Sequence, residues 1–245
     1  MRAMGHMGAP SIYYQDEAVT LWWGDCREVL PTLPRACADL IVTDPPYGQN
    51  FESGRRAETF GPIKGDADTT VALDGVRLAL RCLRDKRHLY VFGRYDWRGL
   101  PVTEPVELIW DKGIFNGGDL TQQWGNQHEY IQFMVLYQAS TERAKGGGAL
   151  TARLRKGSVL RVLRPSGSAV MLHPTQKPVP LLRQLIESSS CFDETVLDPF
   201  AGVGSTLIAA RLEGRKSIGI ECEERYAEIA ARRLSQAVMP LEVMA

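Results

Sequence analysis

No run of about 18 apolar residues occurs anywhere in the chain, so none of it reads as a transmembrane helix. The start carries no apolar stretch of the kind a secretory signal needs, and no membrane partner is expected. No Cys-x-x-Cys pair is present. The cysteines Cys26, Cys37, Cys82, Cys191 and Cys222 are odd in number and scattered, which argues against a zinc site or a disulfide framework. That usage suits a reducing, cytoplasmic setting, and no metal is expected. Net charge is absent too. Lys plus Arg and Asp plus Glu number 29 each, so the molecule is no polycation, and any nucleic-acid contact must come from local patches. Neither a Gly-x-Gly-x-x-Gly fingerprint nor the Gly-Lys-Ser/Thr ending of a P-loop is found.

What is present is an ordinary globular composition, 44% apolar and 24% charged over 245 residues, enough to bury one large core. Residues 1–7, with Met, Gly and His interleaved, resemble a cloning remnant, and residues 1–11 are set aside as disordered. Beyond them, short apolar runs rich in β-branched and aromatic residues alternate with stretches of helical periodicity. Strands are expected at Val19–Trp23, 39–43, 88–93, 106–110, 130–137, 195–197 and 217–221. Helices are expected over 27–33, 71–83, the segment around Leu181 to Ile186, the Ala/Leu-rich run to Leu212, and 223–234. The alternation predicts an α/β fold: one mixed, mostly parallel sheet of about seven strands with helices on both faces.

The sharpest motif is Asp44-Pro45-Pro46-Tyr47, at the end of the apolar run Leu40-Ile41-Val42. Two prolines stop the strand and stiffen the turn, because neither donates to a ladder and each restricts the residue before it. Asp44 and the Pro45 carbonyl are two acceptors able to take both hydrogens of an exocyclic amine, and Tyr47 offers a face on which a base can stack. Drawing on both N–H groups turns the nitrogen towards sp³ and makes it nucleophilic. A plain strand ending in a Pro-Pro turn fits the same four residues.

A second motif follows the strand 195–197. Asp198-Pro-Phe200-Ala-Gly202-Val-Gly204-Ser205-Thr206 runs directly into a helix. Its glycines permit close backbone approach, and the helix start presents free N–H groups. The next strand ends in Glu221, about twenty residues on, where a carboxylate can meet a ribose hydroxyl pair. Together these suit an adenosine-containing ligand without separating a nicotinamide cofactor from S-adenosylmethionine. Asp25 follows the first strand and is a plausible N-cap. Residues 48–70 read as a surface loop in which Arg55 and Arg56 can reach a phosphate or simply be solvated. Residues 139–168 carry Arg143, Lys145, Arg153, Arg155, Lys156, Arg161 and Arg164 against the single acid Glu142, which favours phosphate contact. His128 reads as structural rather than catalytic.

With both motifs in place, the chain resembles an amino-group DNA methyltransferase of the circularly permuted β class, over nearly the whole chain from about Val19 to Leu234. Asp44–Tyr47 matches that family's catalytic motif, and Asp198–Thr206 its cofactor motif. His173-Pro-Thr175-Gln-Lys177-Pro178 matches the segment before the cofactor motif, and Gly24-Asp25 a dipeptide upstream of the catalytic strand. The resemblance implies a Rossmann-like S-adenosylmethionine-dependent fold with a catalytic half (12–138), a short basic recognition segment (139–170) and a cofactor half (171–245). It implies an S-adenosylmethionine pocket lined by Asp44, Asp198, Phe200, Gly202, Gly204, Ser205 and Thr206. Glu221 would hold the ribose hydroxyls, Asp25 the adenine amine, and Thr175 and Lys177 the methionine end. Asp44, Pro45, Pro46 and Tyr47 would hold a base flipped out of double-stranded DNA. No Pro-Cys pair is present, so ring-carbon methylation is not expected. Asp at the first motif position points to adenine N6, with cytosine N4 the alternative. A homodimer and a restriction endonuclease partner are within the family's range. Methylation of RNA or of a protein amide, and a DNA-binding module with a dead site, are the rival readings.

Overall fold

The computed structural model describes residues 9–46, 70–113, 124–125, 127–137, 156–163 and 176–236. Tyr47, Thr175, His173, Arg55, Arg56 and most of the 139–168 stretch lie outside the described residues. Among the described residues, nine strands form one sheet: β1 (Ser11–Gln15), β2 (Val19–Trp23), β3 (Ala38–Thr43), β4 (Leu83–Phe92), β5 (Val106–Asp111), β6 (His128–Val135), β7 (Val159–Arg161), β8 (Thr195–Asp198) and β9 (Lys216–Glu221). Their order is β1-β2-β9-β8-β3-β4-β6-β5-β7. From β2 through β9, β8 and β3 to β4 every pairing is parallel, whereas β1, β6 and their neighbours pair antiparallel.

The central strands explain their own sequences. All six residues of β3 are buried, with Leu40 and Val42 in one core and Ile41 in the other. A strand covered on both faces must be apolar at consecutive positions, which is why it reads as an unbroken run. One face carries α1 (Cys26–Val29) and α2 (Thr70–Leu80), whose Val29, Val76, Ala79 and Leu80 meet Ile41, Leu89 and Val91. The other carries α3 (Val179–Ser189) and α4 (Ser205–Leu212), whose Leu181, Leu182, Leu185, Ile186, Ala209 and Ala210 meet Leu40, Val42, Tyr90 and Phe92. The last helix, α5 (Glu224–Gln236), sets Ala227, Ala230 and Leu234 against Val19, Leu21 and Leu207.

The sheet has two more strands than expected. β1 begins at Ser11, within the stretch set aside as a remnant, and β7 is a three-residue strand inside the basic segment. Neither run is long or apolar enough to announce itself; each exists because a neighbour supplies a ladder. The helix expected over 27–33 breaks into α1 and a 3-10 turn, Leu30–Thr32, because Pro31 has no N–H to continue it. The helix expected over 71–83 stops at Leu80, and Leu83, at helical spacing in sequence, instead opposes Ala38 as the start of β4. β6 is shifted towards His128, where its pairing with Asp111 of β5 begins.

Asp39 holds the far end of β3 in place. Its buried carboxylate takes Arg84 at 2.5 Å, Arg87 at 3.0 Å and the Thr195 N–H of β8 at 3.0 Å. Replacing Asp39 with Ala leaves Arg87 with Glu194 as its remaining carboxylate partner and loosens the β3–β8 register. A loss of about 2 kcal/mol, discounted because Arg84 is exposed, is expected in urea denaturation.

Candidate active site

Because β2, β9, β8, β3 and β4 run parallel, their carboxyl ends share one edge, the edge where open α/β sheets bind ligands. Four predicted residues, Asp25, Asp44, Asp198 and Glu221, stand there, each at or just past a strand end. Thr43 donates from Oγ1 to Asp198 Oδ1 at 2.7 Å, linking the ends of β3 and β8. The Phe200 N–H donates to the same oxygen at 3.1 Å, and Thr206 also bonds this carboxyl. Burial outweighs these donors and raises Asp198 to about 6, with Asp44 adding to the rise.

Glu221 closes the other side of the glycine loop. It takes the Gly202 N–H on Oε2 at 2.8 Å and the Glu223 N–H on Oε1 at 2.7 Å. Burial nevertheless pushes it up to about 7. Gly202 and Gly204 are left-handed, at φ 51° and 77°. A Cβ on Gly204 would stand 3.0 Å from the Ala230 Cβ, whereas one on Gly202 would point into open space. The turn therefore needs both glycines, and the space above Gly202 is where a ligand can approach the backbone. Phe200 packs its ring on Gly75 of α2, where no side chain would fit.

The Asp44 end of β3 has a partner from far along the chain. Lys177 donates from Nζ to Asp44 Oδ2 at 2.6 Å, across 133 residues of sequence. The same ammonium is 3.2 Å from Glu129 Oε2 and 5.0 Å from the centre of the Phe92 ring, and Lys112 pairs with Glu129 Oε1 at 2.8 Å. Only 6% of the Lys177 side chain is exposed. Burial works against its charge, but the two carboxylates outweigh burial and raise its pKa. Burial likewise works against Glu129, and Lys177 and Lys112 bring it below the ordinary carboxylate value.

Several predicted residues also have partners within the protein. Asp25 is the N-cap expected of it, accepting from the Arg27 N–H at 2.8 Å, and it is also paired with the Arg27 guanidinium at 2.5 Å. Lys177 reaches Asp44. Ser205 and Thr206 are buried, with the Ser205 hydroxyl accepting from Arg233 at 3.3 Å. Two cations of the basic segment are paired as well, Lys156 with Glu187 at 2.5 Å and Arg161 with Asp111 at 3.3 Å. Sequence reading missed Thr43, Glu129, Arg233 and Tyr95. Thr43 and Tyr95 flank strand ends on the ligand edge, so the rule that selected Asp44 reaches them; Glu129 and Arg233 had no sequence signal. Among the described residues, no group of three His, Cys, Asp or Glu is placed to hold a metal ion.

A family model described as DNA methylase matches residues 140–232. The chain is 47% identical over 253 residues to the type II methyltransferase M2.DpnII of Streptococcus pneumoniae, covering 91% of each. It is 27% identical over 266 residues to the DNA adenine methyltransferase YhdJ of Escherichia coli K12, covering 94% of this chain and 87% of that one. Among solved structures, the M1.HpyAVI complex with S-adenosylmethionine superposes with a TM-score of 0.64 at 21% identity, over 88% of this chain and 98% of that one. The cytosine-N4-specific PvuII DNA methyltransferase superposes with a TM-score of 0.65 at 17% identity, over 91% and 88%. At those identities the structural likeness is one of fold.

Replacing Lys177 with Met leaves Asp44 and Glu129 without their shared cation. At neutral pH this should cost about 3 kcal/mol. The deficit should shrink on acidification, because the depressed Glu129 contributes stability that is present above its ordinary value of 4.5 and lost as pH falls below it. Urea midpoints of both proteins at pH 7 and in the acid range check this.

Proposed function

The chain belongs to the amino-group DNA methyltransferases, and we propose that it transfers a methyl group from S-adenosylmethionine to the N6 amine of a flipped-out adenine in double-stranded DNA. The observation that carries this reading is the Asp44 carboxylate at the end of β3, clasped by Lys177 and next along the edge to Asp198 and the glycine loop. Asp44 and the Pro45 carbonyl each accept one hydrogen of the target amine, and Tyr47 stacks on the base. With both hydrogens held, the nitrogen lone pair is drawn out of the ring. In this reading Asp44 also takes the proton that the amine sheds once methylated.

S-adenosylmethionine, when bound, supplies an electrophilic methyl group on a sulfonium. The loop fits such a group: Gly202 leaves open space, and Glu221 is a buried acceptor beside it. In this reading Glu221 holds the ribose hydroxyls, Asp25 the adenine amine, and Phe200 and Asp198 shape the pocket wall. Ser205 and Thr206 support the loop from behind. Catalysis here is chiefly positioning, and no covalent enzyme intermediate is required.

The catalytic motif precedes the cofactor motif in the chain, which supports the permuted arrangement, with 12–138 as the catalytic half and 171–245 as the cofactor half. The basic segment 139–170 between them is proposed to contact DNA phosphates. Adenine is favoured by Asp at the first motif position and by the named activity of YhdJ. The fold does not choose, since the PvuII enzyme of similar fold acts on cytosine N4. The type II name of M2.DpnII supports a restriction endonuclease as the functional counterpart.

Labelled methyl transfer to unmethylated duplex DNA, followed by nucleoside mass spectrometry, tests the reading. N6-methyladenine is the expected product, and label in RNA or protein alone would overturn it. Asp44→Ala should abolish transfer while leaving cofactor binding largely intact.

Glu221 makes a pH prediction. Ribose hydroxyls donate to the ionised carboxylate, so cofactor affinity should fall as pH drops below about 7, approaching tenfold per unit. Without ligand the sign reverses: the fold favours the protonated acid, and stability falls as pH rises from 4.5 to about 7. Glu221→Gln should weaken binding at pH 8 and remove the dependence, which calorimetric titration across pH 6 to 8 would reveal.

A further inference from the structure

Neither Pro45 nor Pro46 has an N–H, so neither residue can donate a backbone hydrogen bond to brace the turn. The brace comes from the neighbouring strand end. The Tyr95 hydroxyl, just past β4, lies 3.2 Å from the Pro45 carbonyl oxygen and 3.3 Å from that of Pro46, a three-centre donation to both. A carbonyl oxygen has two acceptor sites, so accepting from Tyr95 leaves one for an amine hydrogen.

Tyr95 is itself fixed by the sheet. Gln132 of β6 is buried, and its Oε1 accepts from the Tyr95 N–H at 2.9 Å and from Trp97 Nε1 at 2.7 Å. Its Nε2 donates to the Tyr95 carbonyl at 3.3 Å, so one amide grips both sides of the same residue. In register, Gln132 lies between Val91 of β4 and Glu107 of β5. The Tyr95 and Trp97 rings pack with centroids 5.4 Å apart. A rigid path therefore runs from the middle of β6 to the carbonyl that the reading above assigns to the target amine.

We propose that Tyr95 is a positioning residue for methyl transfer, its hydroxyl aiming the Pro45 carbonyl at the target amine under the control of Gln132. The inference rests on the proposed function of the site. It requires the hydroxyl, not the ring, and it concerns the target amine rather than the cofactor.

The test is Tyr95→Phe in the full chain, which keeps the ring and its packing on Trp97. Single-turnover methyl transfer to duplex DNA should slow by roughly tenfold or more, the penalty of a slightly misaimed acceptor. The dissociation constant for S-adenosylmethionine and the thermal midpoint should not change, a split that a merely structural role would not produce. Gln132→Ala should also slow transfer, and the double variant should be no slower than the worse single, since both act through one contact. An active parent with an equally fast Tyr95→Phe would overturn the role of Tyr95 and leave the site reading standing. A Tyr95→Phe protein that loses cofactor affinity in proportion to rate would overturn it as well. A parent that transfers no methyl to DNA would overturn both.

Discussion

Parallel pairing of β8 with both β3 and β9 brings the ends of three strands, and so Asp44, Asp198 and Glu221, to one edge of the sheet. Carboxyl ends of adjacent parallel strands must point the same way, so three acids distant in sequence arrive together without any contact between them having to be selected. The Thr43 bond to Asp198 then fixes the spacing between the first two. At the opposite end of the same strand, Asp39 ties β3 to β8 through Thr195. The edge is thus held from both sides, and the glycine loop and Pro-Pro turn project from a rigid base.

Charge burial gives the site its chemical character. Three carboxyl groups at one edge would repel one another and resist desolvation. The protein answers differently at each position. Asp44 receives an ammonium from α3's leading segment, and Lys177 is itself secured by Glu129 and, through it, Lys112. Among the described residues, the donors to Asp198 and Glu221 are neutral, and burial raises both. On the function proposed above, the ion pair falls at the target amine and the titratable acid at the ribose hydroxyls. Beneath the loop, the Arg233 guanidinium serves the Val203 carbonyl and the Ser205 hydroxyl, with burial lowering its pKa.

Much of the fold was legible because the central strands are covered on both faces. Double coverage writes itself as consecutive apolar residues, as in Leu40-Ile41-Val42 and Leu89-Tyr90-Val91-Phe92. The edge strands β1 and β7 carry no such mark, since half their surroundings are solvent and their existence depends on a partner's ladder. Leu83 shows the same limit from the other side: its spacing fitted a helix, but opposition to Ala38 made it a strand. Pro31 was visible in the sequence, and the broken helix at 27–33 followed from its missing N–H.

By itself the sequence determined the α/β class, the two motifs and the strand ends that bear them, because periodicity, proline and glycine act over a few residues. It also determined that Asp25 caps a helix, a contact made within two residues. Only the tertiary structure decided what each functional side chain faces. Lys177 was placed by resemblance near a methionine end, yet its ammonium lies on Asp44, and Tyr95, an unremarked aromatic beyond a strand, lies on the Pro45 carbonyl. Such contacts join residues about 50 to 133 positions apart. Their geometry is set by the order of strands in the sheet, which no local pattern of residue types encodes.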